Sequence, residues 1–345
     1  MLKSFVKYRN RFLEATLEAL WQQWSELGIA GHSSGRSSFV VDPEALILVT
    51  CFFGRYDQRL FDEMISWLRR NERFINIQRL RTISKKHGFA AFNLLGPISC
   101  YLTASSPTPK WKAVQIQCRH ELEHLKPHKF FMMQDNRSIP VLGETDTIFS
   151  EFNLLRLPFQ DKELTGKFPV GSIASMQLQL RALFGVNSRA EVILYLLLHD
   201  SATIQEISTF SCYSWRSIQE TLFELAHSGF VSHPEAKKGR KYRMNHEQWS
   251  QIFPIVEKKQ LAYVGQVNLF RSLELIWLKI SDEKVTQLSS DGLNIEMKEL
   301  FRQEINPRLA CDEGNLPHFN PDYSDLSGFF ESAMAGMIKI LAHFA

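Results

Sequence analysis

Disulfide-forming cysteine, net charge and long apolar runs are all scarce in this 345-residue sequence. The five cysteines are scattered, odd in number and without a CxxC pair, which argues against a disulfide framework and favours a reducing compartment. A formal net charge of +3 excludes a polybasic coat for nucleic acid, so any basic patch must be local. The longest apolar run, near Ala45 to Phe53, is about half of a membrane span, and the charged N-terminal stretch has no signal-peptide core. We therefore expect a soluble, cytoplasmic protein with no membrane partner.

Several catalytic signatures are also missing. The sequence contains neither the phosphate-binding loop GxxxxGK[ST] nor the nucleophile motif GxSxG. It also lacks the Gly-Ser and paired carboxylates of nucleotidyltransferases. We therefore predict a protein that is not an enzyme and that uses no cofactor.

One motif of metal sites is present, an HExxH that runs from His120 to His124. On a helix it would place two imidazoles one turn apart beside a carboxylate, as in zinc proteases. Arg119 before the motif and Glu123 inside it make the segment more polar than such protease helices usually are. We interpret it as a solvated helix face. A zinc site that includes Cys118, or a metalloprotease, remains as an alternative.

Apolar spacing and turn residues predict a mainly α-helical protein with more than one domain. Asp42 and Pro43 predict the start of a helix that ends near Phe53. Residues 134–172 are rich in proline and glycine, which predicts a linker or a layer wrapped over a neighbour. We divide the chain into an N-terminal helical domain with this irregular linker, a central domain and a C-terminal helical region, at 1–165, 166–250 and 251–345. Other predicted helices cover 11–27, 58–70, 75–84, 173–184, 258–280, 294–303 and 325–343.

The central domain begins with two short helical segments. Ser188 and Glu191 have the spacing of a capping box, in which a hydroxyl and a carboxylate satisfy the first amides of a helix. Thr203 and Glu206 repeat this spacing. The sequence therefore predicts a helix from Ser188 to about His199, and another that begins after Thr203.

A third helix and a basic hairpin follow. Ser214 is placed to cap the helix, and Leu222 and Leu225 would pack inward. Gly229 stands where a left-handed helix end is expected. A strand is then predicted from Phe230, with a hairpin tip at 237–240.

In this order, the segments at about 183–245 resemble the winged helix-turn-helix of bacterial regulators of the ArsR and MarR type. They also resemble winged helices that accompany nucleotidyltransferase domains. The resemblance implies a fold in which a central winged helix-turn-helix, with a small β-hairpin wing, is flanked by helical domains. It also implies a transcriptional regulator whose third helix enters the major groove of double-stranded DNA while the wing contacts the backbone.

The resemblance assigns DNA contacts to the start of the third helix and to the wing. Arg216 could bond to guanine and Gln219 to adenine, whereas Tyr213 and Ser214 could contact phosphate. Five Lys or Arg residues in the wing against the single Glu235 give a local charge of +4, which predicts salt-dependent binding. The predicted contact residues are Tyr213, Ser214, Trp215, Arg216, Ser217, Gln219, Lys237, Lys238, Arg240, Lys241 and Arg243.

Two features of the third helix favour a different function. Glu220 and Glu224 make the helix slightly acidic, and Phe223 stands where such helices often carry an exposed basic residue. The alternative is an adaptor that is not an enzyme, whose winged helix contacts another protein or mediates dimerisation. In the regulator hypothesis we expect a homodimer formed by the C-terminal helices and the helix at 173–184, because their apolar faces are broad. The flanking domains could then sense a small-molecule or protein effector.

Overall fold

A computed structural model shows a mainly helical protein, with two small two-stranded sheets in the residues that it describes. These residues are 3–30, 39–105, 109–122, 126–162, 165–232, 241–245, 247–249, 264–310, 321, 323 and 327–344. The sequence-based prediction of a mainly α fold is therefore confirmed. None of the helices in these ranges has both the length and the apolarity needed to cross a membrane.

The N-terminal half is built from seven helices in its described residues. They are α1 Lys3–Glu26, α2 Pro43–Phe53, α3 Gln58–Asn71, α4 Ile77–His87, α5 Leu95–Ser105, α6 Lys112–Leu122 and α7 Thr147–Ser150. The predicted start of α2 is confirmed: Asp42 caps the helix, and its Oδ1 accepts a hydrogen bond of 3.1 Å from the Ala45 amide. Short parallel strands β1, His128–Lys129, and β2, Leu154–Leu155, close this half.

The central and C-terminal parts continue the helical pattern. Central elements are α8 Met176–Phe184, α9 Ser188–Leu198, α10 Ile204–Ser211, α11 Trp215–His227, and the antiparallel strands β3 Val231–Ser232 and β4 Arg243–Met244. C-terminal elements are α12 Gln266–Ile280, α13 Glu283–Thr286, α14 Ser290–Leu300, a π-helical turn Phe301–Ile305, α15 Asn306–Ala310 and α16 Phe329–Ala342.

The N-terminal and C-terminal helices share one hydrophobic core. Helix α1 packs against α16, where the rings of Phe5 and Phe330 stack with their centroids 5.5 Å apart. Phe12 of α1 also stacks on Trp277 of α12, at 6.4 Å. We call this unit the helical body. The predicted N-terminal and C-terminal regions, 1–165 and 251–345, thus contribute helices to the same core.

The irregular stretch after α6 is a layer on the helical body. Arg55 Nε donates a hydrogen bond of 3.0 Å to the carbonyl of Phe130, and the Phe130 ring packs 4.7 Å from that of Phe61. The buried Arg156 guanidinium lies 2.7 Å from the Asp62 carboxylate. Of the two interpretations of residues 134–172, the wrapped layer agrees with these contacts.

The apolar faces that led us to expect a dimer are covered within the chain. Phe329, Phe330, Met334 and Met337 of α16 are buried in the helical body. Helix α8 buries residues in both the helical body and a second core, which is formed by α9, α10, α11 and the β3–β4 pair. The homodimer stays a prediction, but these faces no longer support it.

A buried ion network joins the helical body to the second core. The Arg181 guanidinium of α8 contacts Glu44 of α2 at 2.6 and 2.9 Å, and Glu191 of α9 at 2.8 Å. Arg79 of α4 contacts the same Glu44 at 2.7 Å, and it forms a two-armed pair with Asp42. Burial acts to lower the pKa of Arg181, but Glu191 and Glu44 hold that pKa above its ordinary value. Both arginines therefore remain charged, and they fix four helices at one point.

Candidate nucleic-acid interface

The three helices α9, α10 and α11 pack around one small core of their own. Ile193 of α9, Ile207 of α10, and Ile218 and Leu222 of α11 are fully buried there. The predicted capping box at the start of α9 is wrong. Asn187 caps the helix instead, because the Glu191 carboxylate lies in the buried ion network and does not fold back on the first turn. Ser188 instead hydrogen-bonds to Thr221 of α11, with 2.7 Å between the two hydroxyls.

The predicted capping box at the start of α10 is confirmed. The Thr203 hydroxyl accepts from the Glu206 amide, and the Glu206 carboxylate accepts from the Thr203 amide. The hydrogen bond from the Thr203 backbone lowers the pKa of Glu206. Helix α10 ends at Cys212, whose φ of 58° reverses the chain direction. This turn sets the angle between α10 and α11.

Helix α11 begins and ends where the sequence predicts. The Ser214 hydroxyl caps it by accepting from the Ser217 amide at 3.2 Å. At the other end Gly229 has a φ of 79°, and the amides of Gly229 and Phe230 bond back to carbonyls of the last turn. This paired arrangement is the Schellman motif, which glycine adopts without strain.

A small sheet is formed beside these helices. Val231 pairs with Met244 and Ser232 with Arg243, so β3 and β4 run antiparallel. Ala202, before α10, forms a two-way bridge with Tyr242 through hydrogen bonds of 2.9 and 2.7 Å. Three segments of the chain are thus hydrogen-bonded side by side at the edge of the second core.

The start of α11 presents most of the predicted contact residues on the surface. Ser214, Trp215, Arg216 and Gln219 are exposed, and Ser217 is half-buried. Arg216 forms an ion pair with Glu220 at 2.9 Å, and both side chains of this pair are exposed to solvent. Such exposed pairs contribute about 1 kcal/mol or less, so Arg216 can exchange this partner for another.

The hydroxyl of Tyr213, a predicted phosphate contact, is hydrogen-bonded within the protein. Its hydroxyl accepts a hydrogen bond of 2.9 Å from Asn76 of the helical body and lies 3.5 Å from the carbonyl of Val186. Burial raises the pKa of Tyr213 above its ordinary value. Tyr213 is therefore an anchor of the α10–α11 turn, although the sequence suggested that it is free to reach DNA.

The basic hairpin is described only at its base. Lys241 and Arg243 are exposed there, on either side of the buried Tyr242. The other predicted cations of the wing, Lys237, Lys238 and Arg240, lie outside the described residues. The described base therefore carries two cations that face solvent.

An exposed row of mostly aromatic side chains runs along α11. The predicted DNA contacts include only part of this row. Trp215, Gln219, Phe223 and His227 are spaced four residues apart and are all exposed. Phe223 is 70% exposed and its ring stacks on His227 with centroids 6.4 Å apart. The spacing alone predicts this row, because residues four apart share a helix face.

The HExxH motif begins in the last turn of α6. His120 and Glu121 are exposed on α6, and Glu123 and His124 lie outside the described residues. Cys118 points inward, with its Sγ 3.5 Å from the Phe92 carbonyl, and burial raises its pKa to about 12. In the described ranges no three His, Cys, Asp or Glu side chains form a group that could hold a metal ion.

The chain matches no protein-family model, no curated protein and no solved structure. Its function must therefore be inferred from the arrangement of its own residues. That arrangement is a helix held by its inner face, with an exposed outer face that carries Arg216, Gln219 and Phe223, beside the base of a basic hairpin.

Proposed function

We propose that this chain is a DNA-binding transcriptional regulator in which α9 to α11 and the β3–β4 pair form a winged helix-turn-helix. The observation that carries the proposal is the mounting of α11. Its inner side chains, Ile218, Leu222 and Leu225, are buried, whereas Ser214, Arg216 and Gln219 on the other side are exposed. A helix presented in this way fits the major groove, which is about 12 Å wide.

The exposed side chains of α11 have suitable chemistry for reading bases. Arg216 carries a planar guanidinium that can donate two hydrogen bonds to guanine, and Gln219 can bond in the same two-armed manner to adenine. The phenyl ring of Phe223 offers an apolar contact to a thymine methyl group. Because Arg189 and Glu224 form an ion pair of 2.5 Å, the acidic side of the helix is partly neutralised.

The wing would supply affinity for the backbone. Lys241 and Arg243 are exposed at its base, and the sequence adds three further cations to the predicted wing, Lys237, Lys238 and Arg240. Contacts of this kind release counterions, so the logarithm of the affinity falls with the logarithm of salt concentration by about 0.9 per phosphate contact.

A salt titration of the purified protein against random-sequence duplex DNA, followed by fluorescence anisotropy, tests this proposal. We expect binding that weakens steeply with salt. Changing Lys237, Lys238, Arg240 and Lys241 together to alanine should weaken binding and reduce the slope by about 3 to 4. The matched control changes four exposed cations that lie outside the predicted wing, Lys3, Lys7, Arg11 and Lys162, to alanine. The proposal fails if both variants lose affinity equally, because the loss would then reflect net charge alone.

Exposed aromatic side chains favour a second candidate function, a protein adaptor. Trp215 is 48% exposed and Phe223 is 70% exposed, and aromatic side chains are enriched where proteins bind each other. This candidate predicts no duplex binding even at about 50 mM salt, where phosphate contacts are strong. The adaptor is excluded if the natural chain binds duplex DNA at that salt concentration and the wing variant does not.

A further inference from the structure

A cavity of about 120 Å³ lies where the winged-helix unit meets the helical body. One side is formed by α4, another by α9 and the turn after α10, and the third by the start of α12. Ile83, Leu194, Leu198 and Val264 provide apolar wall, and an apolar cavity of about 150 Å³ is known to hold a six-carbon ring. The space therefore suits an apolar group of about five or six carbon atoms.

The polar part of the wall is positively charged. Lys86 and His87 line the cavity from the end of α4, and Lys86 forms no ion pair with any described residue. The acidic group in the described wall, Asp42, is already paired on both oxygens with Arg79. Arg79 Nε is buried and has no hydrogen-bond partner among the described residues. Buried donors in proteins nearly always have a partner, so this donor is available to a bound acceptor.

Two further observations agree with an anionic guest. Helix α12 begins beside the cavity at Gln266, and Gly265 before it provides no side-chain cap, so the positive end of the helix dipole is left for a ligand. The pKa of His87 is lowered to about 4 by burial and by Lys86, Arg308, Arg79 and Arg271. After burial, the named influences on this imidazole are cations, and Lys86 is the one among them that forms no ion pair with a described residue.

We infer that this cavity binds a small organic acid, with one carboxylate at Lys86 and His87 and an apolar body against Ile83, Leu194 and Leu198. A single free ammonium suits one negative charge better than a doubly charged phosphate. The cavity also adjoins Thr209, Phe210 and Cys212 of the turn that sets the angle of α11. A guest there would shift this turn against α12 and change how α11 meets DNA, and this regulatory part rests on the proposed function.

Calorimetric titration of the full-length protein with hexanoate, and with its uncharged equivalent hexanamide, tests the site. We expect hexanoate to bind at least about tenfold more tightly than the amide, a difference of about 1.4 kcal/mol. Lys86→Gln should remove this preference. The matched control is Lys85→Gln. Lys85 is exposed, as Lys86 is, but it does not line the cavity, so this variant should retain the preference. The inference is wrong if acid and amide bind equally, if Lys86→Gln leaves hexanoate binding unchanged, or if hexanoate does not bind at about 10 mM.

A second readout follows the His87 imidazole by NMR, with its signal assigned from a His87→Gln variant. A carboxylate seated beside His87 favours the imidazolium, so hexanoate should raise the pKa of His87 whereas hexanamide should not. A His87 titration that is the same with and without hexanoate would contradict the placement of the carboxylate.

Duplex affinity with and without saturating hexanoate then tests the regulatory part. We expect a change of about fivefold or more, in the usual range of coupling between sites. If the protein binds no DNA at all, the proposed function fails but the binding of hexanoate stands. Unchanged DNA affinity, together with hexanoate binding that depends on Lys86, would reject the regulatory role alone.

Discussion

His87 at the end of α4 is the residue whose charge responds most clearly to its surroundings. Its pKa in the folded chain is about 4, against an ordinary value of 6.5, because burial and the cations Lys86, Arg308, Arg79 and Arg271 disfavour the imidazolium. Between pH 6.5 and pH 4 the unfolded chain therefore binds a proton that the folded chain does not. The contribution of His87 to stability is complete above this window and decreases as the pH falls through it.

Urea unfolding from pH 7 to pH 4 checks this expectation. The free energy of unfolding of the natural chain should fall relative to that of His87→Gln, by up to a few kcal/mol, since one pKa unit corresponds to about 1.4 kcal/mol. The control is His120→Gln, which changes a histidine exposed at the end of α6. A difference between the natural chain and His87→Gln that does not change with pH would show that the cations near His87 are balanced by other groups.

Helix α11 owes its end to one glycine. Gly229 has a φ of 79°, and a Cβ there would lie 3.3 Å from the Gln248 side chain. We expect Gly229→Ala to lower the free energy of unfolding by about 1 kcal/mol, mainly because alanine resists the left-handed conformation. Gly292→Ala, in the first turn of α14, is the matched control and should be neutral or stabilising. Equal losses in the two variants, measured by urea unfolding, would mean that the end of α11 does not depend on the left-handed conformation.

Local signals predicted the elements of the central unit well. Ser214 and the Thr203–Glu206 box act on amides within three residues, so their spacing is sufficient to place the starts of α10 and α11. The capping box predicted at Ser188 does not form, because the Glu191 carboxylate instead pairs with Arg181, ten residues away. The spacing likewise does not reveal that the Tyr213 hydroxyl bonds to Asn76, which is 137 positions earlier. Contacts of this kind depend on the assembled fold, and no sequence spacing reveals them.

At the scale of the whole molecule, Glu44 holds the two cores together. It is completely buried, and it accepts hydrogen bonds from Arg79 and Arg181. Arg181 also contacts Glu191 of α9. Glu44→Gln would leave two buried guanidinium groups with too little negative charge. We expect the free energy of unfolding to fall by about 3–5 kcal/mol.

The same substitution should separate the unfolding of the two cores. The natural chain should unfold in one urea transition, seen alike by circular dichroism and tryptophan fluorescence, whereas Glu44→Gln should show two. Glu224→Gln removes an exposed ion pair and should cost less than about 1 kcal/mol, with one transition retained. A Glu44→Gln protein as stable as Glu224→Gln would show that the network does not join the cores.

The packing of α1 against α16 has a consequence for synthesis on the ribosome. Phe5 packs against a helix that is translated more than three hundred residues later, so the core of the helical body is complete only after α16 has been made. The second core is different, because the capped helices α9 to α11 and the β3–β4 pair all fall between Ser188 and Met244. It can therefore form while the rest of the chain is still being made. During that interval the exposed apolar faces of α1 and α2 would be natural targets for a chaperone.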